Sequence, residues 1–154
     1  MNKLDVRIVK LEPMTVASAY GFGKGPEGIA SRMLTAWAKP KGLFNDPEQH
    51  PTFGFNNPDP SPGSPNYGYE IWMKVDAGTQ PEGDISIKHF SGGLYAVTRF
   101  TGLSRIGDVW KQLVAWREAS RYKCGHHQWL EHLLDQFEKD PEKYTFDLYL
   151  PIEV

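Results

Sequence analysis

From Val6 to Leu11 apolar and polar residues alternate, and a second run, Thr15 to Tyr20, follows after Glu12-Pro-Met. Alternation with period two predicts half-buried strands, here a pair. The pattern breaks at Gly21, Gly23 and Gly25, and Pro26 is well placed to open a helix. Within that helix Ile29, Ala30, Met33, Leu34 and Trp37 recur at spacings of three and four as one apolar stripe, and Lys39-Pro-Lys-Gly42 ends it. Thr52–Phe55 and Tyr67–Val75 read as the next strands. Between them Asn56–Asn66 holds four prolines in eleven residues, which predicts an exposed loop.

The order then recurs. Asp84–Phe90 and Leu94–Phe100 read as strands joined by a turn at Ser91-Gly-Gly93, and Ile106, Val109, Trp110, Leu113 and Trp116 form a second helical stripe. Trp129, Leu130, Leu133, Leu134 and Phe137 also fall at helical spacing, so His126–Phe137 is expected to be a further short helix where the first half has the strand Thr52–Phe55. Tyr144–Ile152 closes the chain as a strand.

Residue identity supports the recurrence. Sliding residues 5–37 forward by 79 positions brings Asp5, Ile8, Ala17, Gly23, Leu34, Ala36 and Trp37 onto Asp84, Ile87, Ala96, Gly102, Leu113, Ala115 and Trp116. Average residue frequencies give roughly two matches in such a window. At an offset of 77, Tyr69–Val75 aligns with Phe146–Ile152. The expected fold is therefore α+β: one domain over residues 1–154, made of two pseudo-symmetric ββαββ-type repeats, about 5–76 and 84–154, with an antiparallel sheet, two main helices on one face and a ligand cleft on the other. A seam between repeats favours a small-molecule pocket.

Strand parity sorts the candidate residues. Ile71, Met73 and Val75 share one face, as do Leu148, Leu150 and Ile152, and these aliphatic faces suit the helix stripes. Glu70 and Trp72 project oppositely, as do Asp147 and Tyr149. Aromatic rings and carboxylates together suit a flat, apolar, positively charged guest. The plainer alternative for Trp72 and Tyr149 is core aromatics covered by a loop, and for Glu70 and Asp147 a structural role.

Composition removes several function classes. Net charge is −2 with both signs interspersed, which gives no footprint for nucleic acid or a membrane surface. No secretory signal opens the chain and no apolar run approaches bilayer length, so the cytoplasm is the expected compartment. The single cysteine, Cys124, cannot form an internal disulfide. Cys124-Gly-His-His127 has no second Cys/His cluster to complete a zinc site, so no metal and no cofactor are expected. Aromatic residues reach 13%, more than a core of this size ordinarily needs.

The element order, together with Gly54-Phe-Asn-Asn-Pro58, Ser91-Gly-Gly-Leu-Tyr-Ala96 and the closing Leu148-Tyr-Leu-Pro-Ile152, resembles the DNA gyrase inhibitor-like domain over nearly the whole chain. The same fold serves as the effector-binding domain of some AraC-type and multidrug-responsive MerR-type regulators. The resemblance implies a ligand cleft with a buried glutamate that holds lipophilic cations. Leu130-Glu131-His132-Leu133 stands where the family has Phe-Glu-X-Tyr, so Glu131 matches the acid while Leu133 replaces the usual tyrosine. Trp129 or Tyr149 is then expected to supply the stacking ring, with Phe55 at one end of the cleft. No helix-turn-helix segment is present, so direct DNA binding is not expected. A separate regulator or self-association is left open.

The leading expectation is a stand-alone module for lipophilic, cationic or aromatic compounds, using Glu131, Trp72, Tyr149, Trp129, Phe55, Tyr95 and Glu70. Sequestered carboxylate is costly unless paired, and a weakly hydrated cation relieves that cost. One alternative is a hydrolase of strained or alkylating small molecules on the same scaffold, with Glu131 activating water and Tyr149 or Tyr95 orienting it. Another is a protein-interaction module such as a gyrase modulator.

Overall fold

Each stripe and alternating run finds a sheet to bury against. The computed structural model describes residues 4–135 and 137–154. Its strands are β1 (Val6–Leu11), β2 (Met14–Gly23), β3 (Thr52–Asn56), β4 (Tyr67–Val75), β5 (Ser86–Phe90), β6 (Gly93–Thr101), β7 (Lys123–Cys124), β8 (Leu130–Leu133) and β9 (Thr145–Glu153), with helices α1 (Pro26–Ala38) and α2 (Ile106–Glu118). They form two compact units, one of residues 13–91 and one of residues 1–12 with 92–154.

In the 13–91 unit β4 pairs antiparallel with both β3 and β2, and β5 pairs with the other edge of β2. Helix α1 opens with Pro26 after Gly25 and carries Glu27 in its first turn, where the helix dipole favours an acid. Its buried residues Ala30, Leu34, Trp37 and Ala38 pack with Ala17, Ala19, Met73, Val75 and Ile85. Gly21 permits the close approach of helix to strand, because a Cβ there would lie 2.5 Å from the Pro26 carbonyl oxygen. Pro-rich 57–66 is an exposed loop.

In the other unit β9 pairs with β6, β8 and β7, and β1 pairs with the far edge of β6. Val109 and Leu113 of α2 pack on Ala96, Phe100, Phe146, Leu148, Leu150 and Ile152. The repeat-related pairs Ala17 and Ala96, and Leu34 and Leu113, are all buried in these cores. Gly23 and Gly102, a third pair, have φ of 130° and 103°, a conformation that excludes a side chain at the strand end.

Two expectations are corrected. Strands β1 and β2 do not pair as a hairpin: β1 joins β6, and β5 joins β2, so each repeat's first strand lies in the unit built from the other repeat's helix. The helix expected over His126–Phe137 is instead strand β8, whose residues Leu130 to Leu133 pair with Tyr149 to Phe146. A strand on β9 buries Leu130 completely, while Trp129 and Phe137 are left 40% and 61% exposed, so the apparent helical stripe is never covered. The two units are consequently more alike than the sequence pattern implies, with β8 pairing β9 as β3 pairs β4.

Candidate functional site

On the 13–91 sheet, even-numbered residues of β2 and β4 turn away from α1. Register places Glu70 opposite Tyr20 and Phe55, and Trp72 opposite Ser18 and Phe53. Phe55 meets the Trp72 ring edge-on at 4.7 Å between centroids, and Phe90 of β5 lies 5.3 Å from it. Trp72 is partly exposed within this cluster, whereas Phe55 and Phe90 are buried.

Glu70 sits at the N–H edge of the ring, 2% exposed. Its carboxylate accepts from Ser18 Oγ at 2.7 Å, Trp72 Nε1 at 2.6 Å, Lys88 Nζ at 2.7 Å and, more weakly, Asn57 Nδ2 at 3.4 Å. Burial acts to raise its pKa, but the hydrogen bonds from Lys88, Ser18 and Trp72 together with the Lys88 charge hold it below the ordinary 4.5. Glu70 is thus an ionised, well-partnered carboxylate. By accepting from the indole N–H it draws electron density toward the Trp72 ring face.

The other unit repeats this arrangement at the equivalent position. Asp147, also 2% exposed, accepts from Arg99 Nε at 2.8 Å, Arg99 Nη2 at 3.1 Å and Arg7 Nη2 at 2.7 Å. Burial again acts to raise its pKa, and the two guanidinium groups bring it below 3.8. On the same face Tyr95 meets Tyr149 at 5.5 Å and His127 at 4.8 Å, both edge-on. The Tyr95 hydroxyl donates to the Gln128 carbonyl oxygen at 2.5 Å, and burial pushes both tyrosine hydroxyls to higher pKa.

The sequence-predicted residues therefore fall into sets. Phe55, Glu70 and Trp72 come together, as do Tyr95 and Tyr149. Trp129 packs on Trp110 of α2, with centroids 5.3 Å apart. Glu131 is partly buried on β8 opposite Leu148, while Leu130 is opposite Tyr149, so Glu131 and Tyr149 project from opposite faces of their unit's sheet. Leu133, which stands where the family has tyrosine, packs on the α2 core.

Sequence reasoning missed the basic partners Lys88, Arg7 and Arg99 and the donor Ser18. Parity within each strand was available for all of them, but the meeting of Lys88 with Glu70 and of Arg7 with Asp147 depends on the strand exchange, while Ser18 and Arg99 depend on the register of β2 on β4 and of β6 on β9. His132 was missed because its segment was read as helical; it lies opposite Asp147, and burial lowers its pKa. Among the described residues no group of three or more His, Cys, Asp or Glu side chains is placed to hold a metal. No described helix is long and apolar enough to cross a membrane.

Two antiparallel sheet units, each with one helix on one face and a buried, ion-paired acid on the other, define a duplicated class of α+β domain. The GyrI-like small-molecule-binding domain model matches residues 4–153, and the chain belongs to that family. No curated protein matches it by sequence. Among solved structures it is similar to EcmrR in a DNA-bound transcription complex, with TM-score 0.73 and 12% identity over 98% of this chain. It spans only 58% of that EcmrR chain. The isolated EcmrR C-terminal domain gives TM-score 0.71 and 13% identity, covering 97% of this chain and 98% of that one. A hydrolase from Listeria innocua gives TM-score 0.71 and 11% identity, covering 98% and 93%. SAV2435, solved with tetraphenylphosphonium bound, gives TM-score 0.56 and 12% identity, covering 97% and 94%.

Proposed function

We propose that this chain binds lipophilic aromatic cations, as a sensing or sequestering module. The observation that carries the reading is the Trp72 ring, partly exposed, held by Phe55 and Phe90 and hydrogen-bonded through its N–H to the ionised Glu70. A cation over such a face gains about 0.5–2 kcal/mol. Apolar rings buried alongside add about 25 cal/mol per Å². Micromolar affinity, near −8 kcal/mol, is then reachable after the costs of association. Tyr149, Tyr95 and Trp129 are the further aromatic candidates, and Glu131 is the acid to which the family pattern points. That SAV2435 was solved with a tetra-aryl phosphonium supports the cationic class.

The test is titration of the full chain with tetraphenylphosphonium, followed by tryptophan fluorescence. Saturable quenching in the micromolar range is expected. Trp72→Phe should remove most of the signal and Glu70→Gln, which neutralises the acid hydrogen-bonded to that ring, should weaken binding about tenfold, or about 1.4 kcal/mol. Absence of saturable quenching by tetraphenylphosphonium and by planar cationic dyes refutes the reading. Because a hydrolase shares the fold, the full chain is also incubated with a strained electrophile such as an epoxide; water-addition product that accumulates with wild type but not with Glu131→Gln replaces binding by turnover.

A further inference from the structure

A second cluster, outside the aromatic set, has the opposite chemical preference. Asp5, Arg7 and Arg99 line a hollow of about 170 Å³ within the unit of residues 1–12 and 92–154. We propose that Arg7 and Arg99 form a receptor for a small oxyanion, the carboxylate or phosphate group of a ligand. This goes beyond the cation reading and does not depend on it.

Three observations support it. First, the guanidinium groups are fixed before any guest arrives, because buried Asp147 accepts from both at 2.7 to 3.1 Å. Arg7 donates there from Nη2, and Arg99 from Nε and Nη2, so Arg7 Nε and both Nη1 groups retain their donors. Planar forks held in place lose little freedom on meeting a carboxylate or phosphate. Second, the arginines are accessible: their side chains are 49% and 55% exposed while that of Asp147 is 3% exposed. With Asp147 below and Asp5 at the side the cluster carries no net charge, so an oxyanion is held by the outward N–H donors of the two forks. Third, the size is suitable, since about 10–15 Å³ of such space holds a water and the hollow therefore admits an oxyanion with part of the molecule that bears it.

Asp5 supplies an internal control. It shares the strand parity of Arg7, and its backbone is held by Thr98 Oγ1, which donates to the Asp5 carbonyl at 2.8 Å. A carboxylate beside the hollow opposes an anionic guest and tunes the receptor to weak binding. Removing that charge should strengthen binding, a gain that misfolding cannot imitate.

The experiment titrates sodium phosphate and sodium acetate into the full chain with ionic strength held by chloride, reading the arginine Nε–H signals by nitrogen-edited NMR. Both arginine signals are expected to move saturably with a low-millimolar midpoint, which corresponds to about −4 kcal/mol. Chloride alone should not reproduce the shift. Arg7→Gln leaves the Arg99–Asp147 bonds and, with folding verified by its melting curve, should weaken binding about fivefold, allowing for half exposure. Asp5→Asn should tighten it about two- to fivefold. Preference for phosphate assigns a phosphate-bearing ligand and preference for acetate a carboxylate-bearing one. No saturable shift beyond the chloride control, or midpoints unmoved by both substitutions, overturns the proposal.

Discussion

Replacing Lys88 with Met removes the ammonium from Glu70 while keeping an unbranched stem of similar reach. The structure sets the size of the effect. Lys88 Nζ lies 2.7 Å from Glu70 Oε2, with the acid's side chain 3% exposed and the lysine's 47% exposed. Breaking a fully buried pair costs about 3–5 kcal/mol, and an exposed pair is worth about 0–1 kcal/mol. This half-exposed pair should fall between, at about 1–2 kcal/mol near pH 7. Ser18 and Trp72 continue to donate, so the variant should still fold. Because the folded carboxyl lies below 4.5, its contribution is present above the unfolded value and lost as pH falls through the folded one. Loss of Lys88 moves the folded value upward, so the penalty should be full near neutrality and shrink steadily from about pH 6 to pH 3. Urea unfolding of both proteins across that range measures it; an equal difference at pH 7 and pH 3 refutes the electrostatic account. The same substitution should tighten tetraphenylphosphonium binding several-fold, because a guest no longer competes with a resident ammonium. Unchanged or weaker binding separates Glu70 from the guest.

Glu70 and Asp147 both have lowered pKa, so wild-type stability should fall between about pH 5 and pH 2; the Glu70→Gln/Asp147→Asn double variant should show a flatter profile, measured as melting temperature against pH. Leu113 is fully buried on the sheet-facing side of α2, and Leu113→Ala should cost about 2–5 kcal/mol by urea titration. A Cβ at Gly54 would run into the Tyr69 hydroxyl, so Gly54→Ala should cost about 1–3 kcal/mol by the same assay.

Both main helices were legible because their stripes are long and each meets a sheet that covers it. The sorting of Glu70, Trp72, Asp147 and Tyr149 away from the helices was equally legible, since parity along β4 and β9 allows no other arrangement. Strand exchange was not. Val6–Leu11 carries the same alternation whether it pairs with β2 or with β6, and nothing local distinguishes the partners. Strand β8 was misread because four residues are too few to display a period of two, and Leu130 and Leu133 fit a helix turn equally well. Missing the exchange hid the basic partners: Lys88 reaches Glu70 because β5 borders β2, and Arg7 reaches Asp147 because β1 borders β6.

That exchange also dictates where the chain can be divided. A fragment ending at the repeat boundary near residue 76 would keep β2 but lack β5, baring a row of backbone donors and acceptors from Met14 to Ser18. Uncapped edges of that kind recruit other chains and promote aggregation. The same cut would strand Glu70 without its ammonium. Residues 13–91, by contrast, carry β2 to β5 in one contiguous stretch, so the compact unit of this molecule is offset from the duplicated one by about the length of a strand.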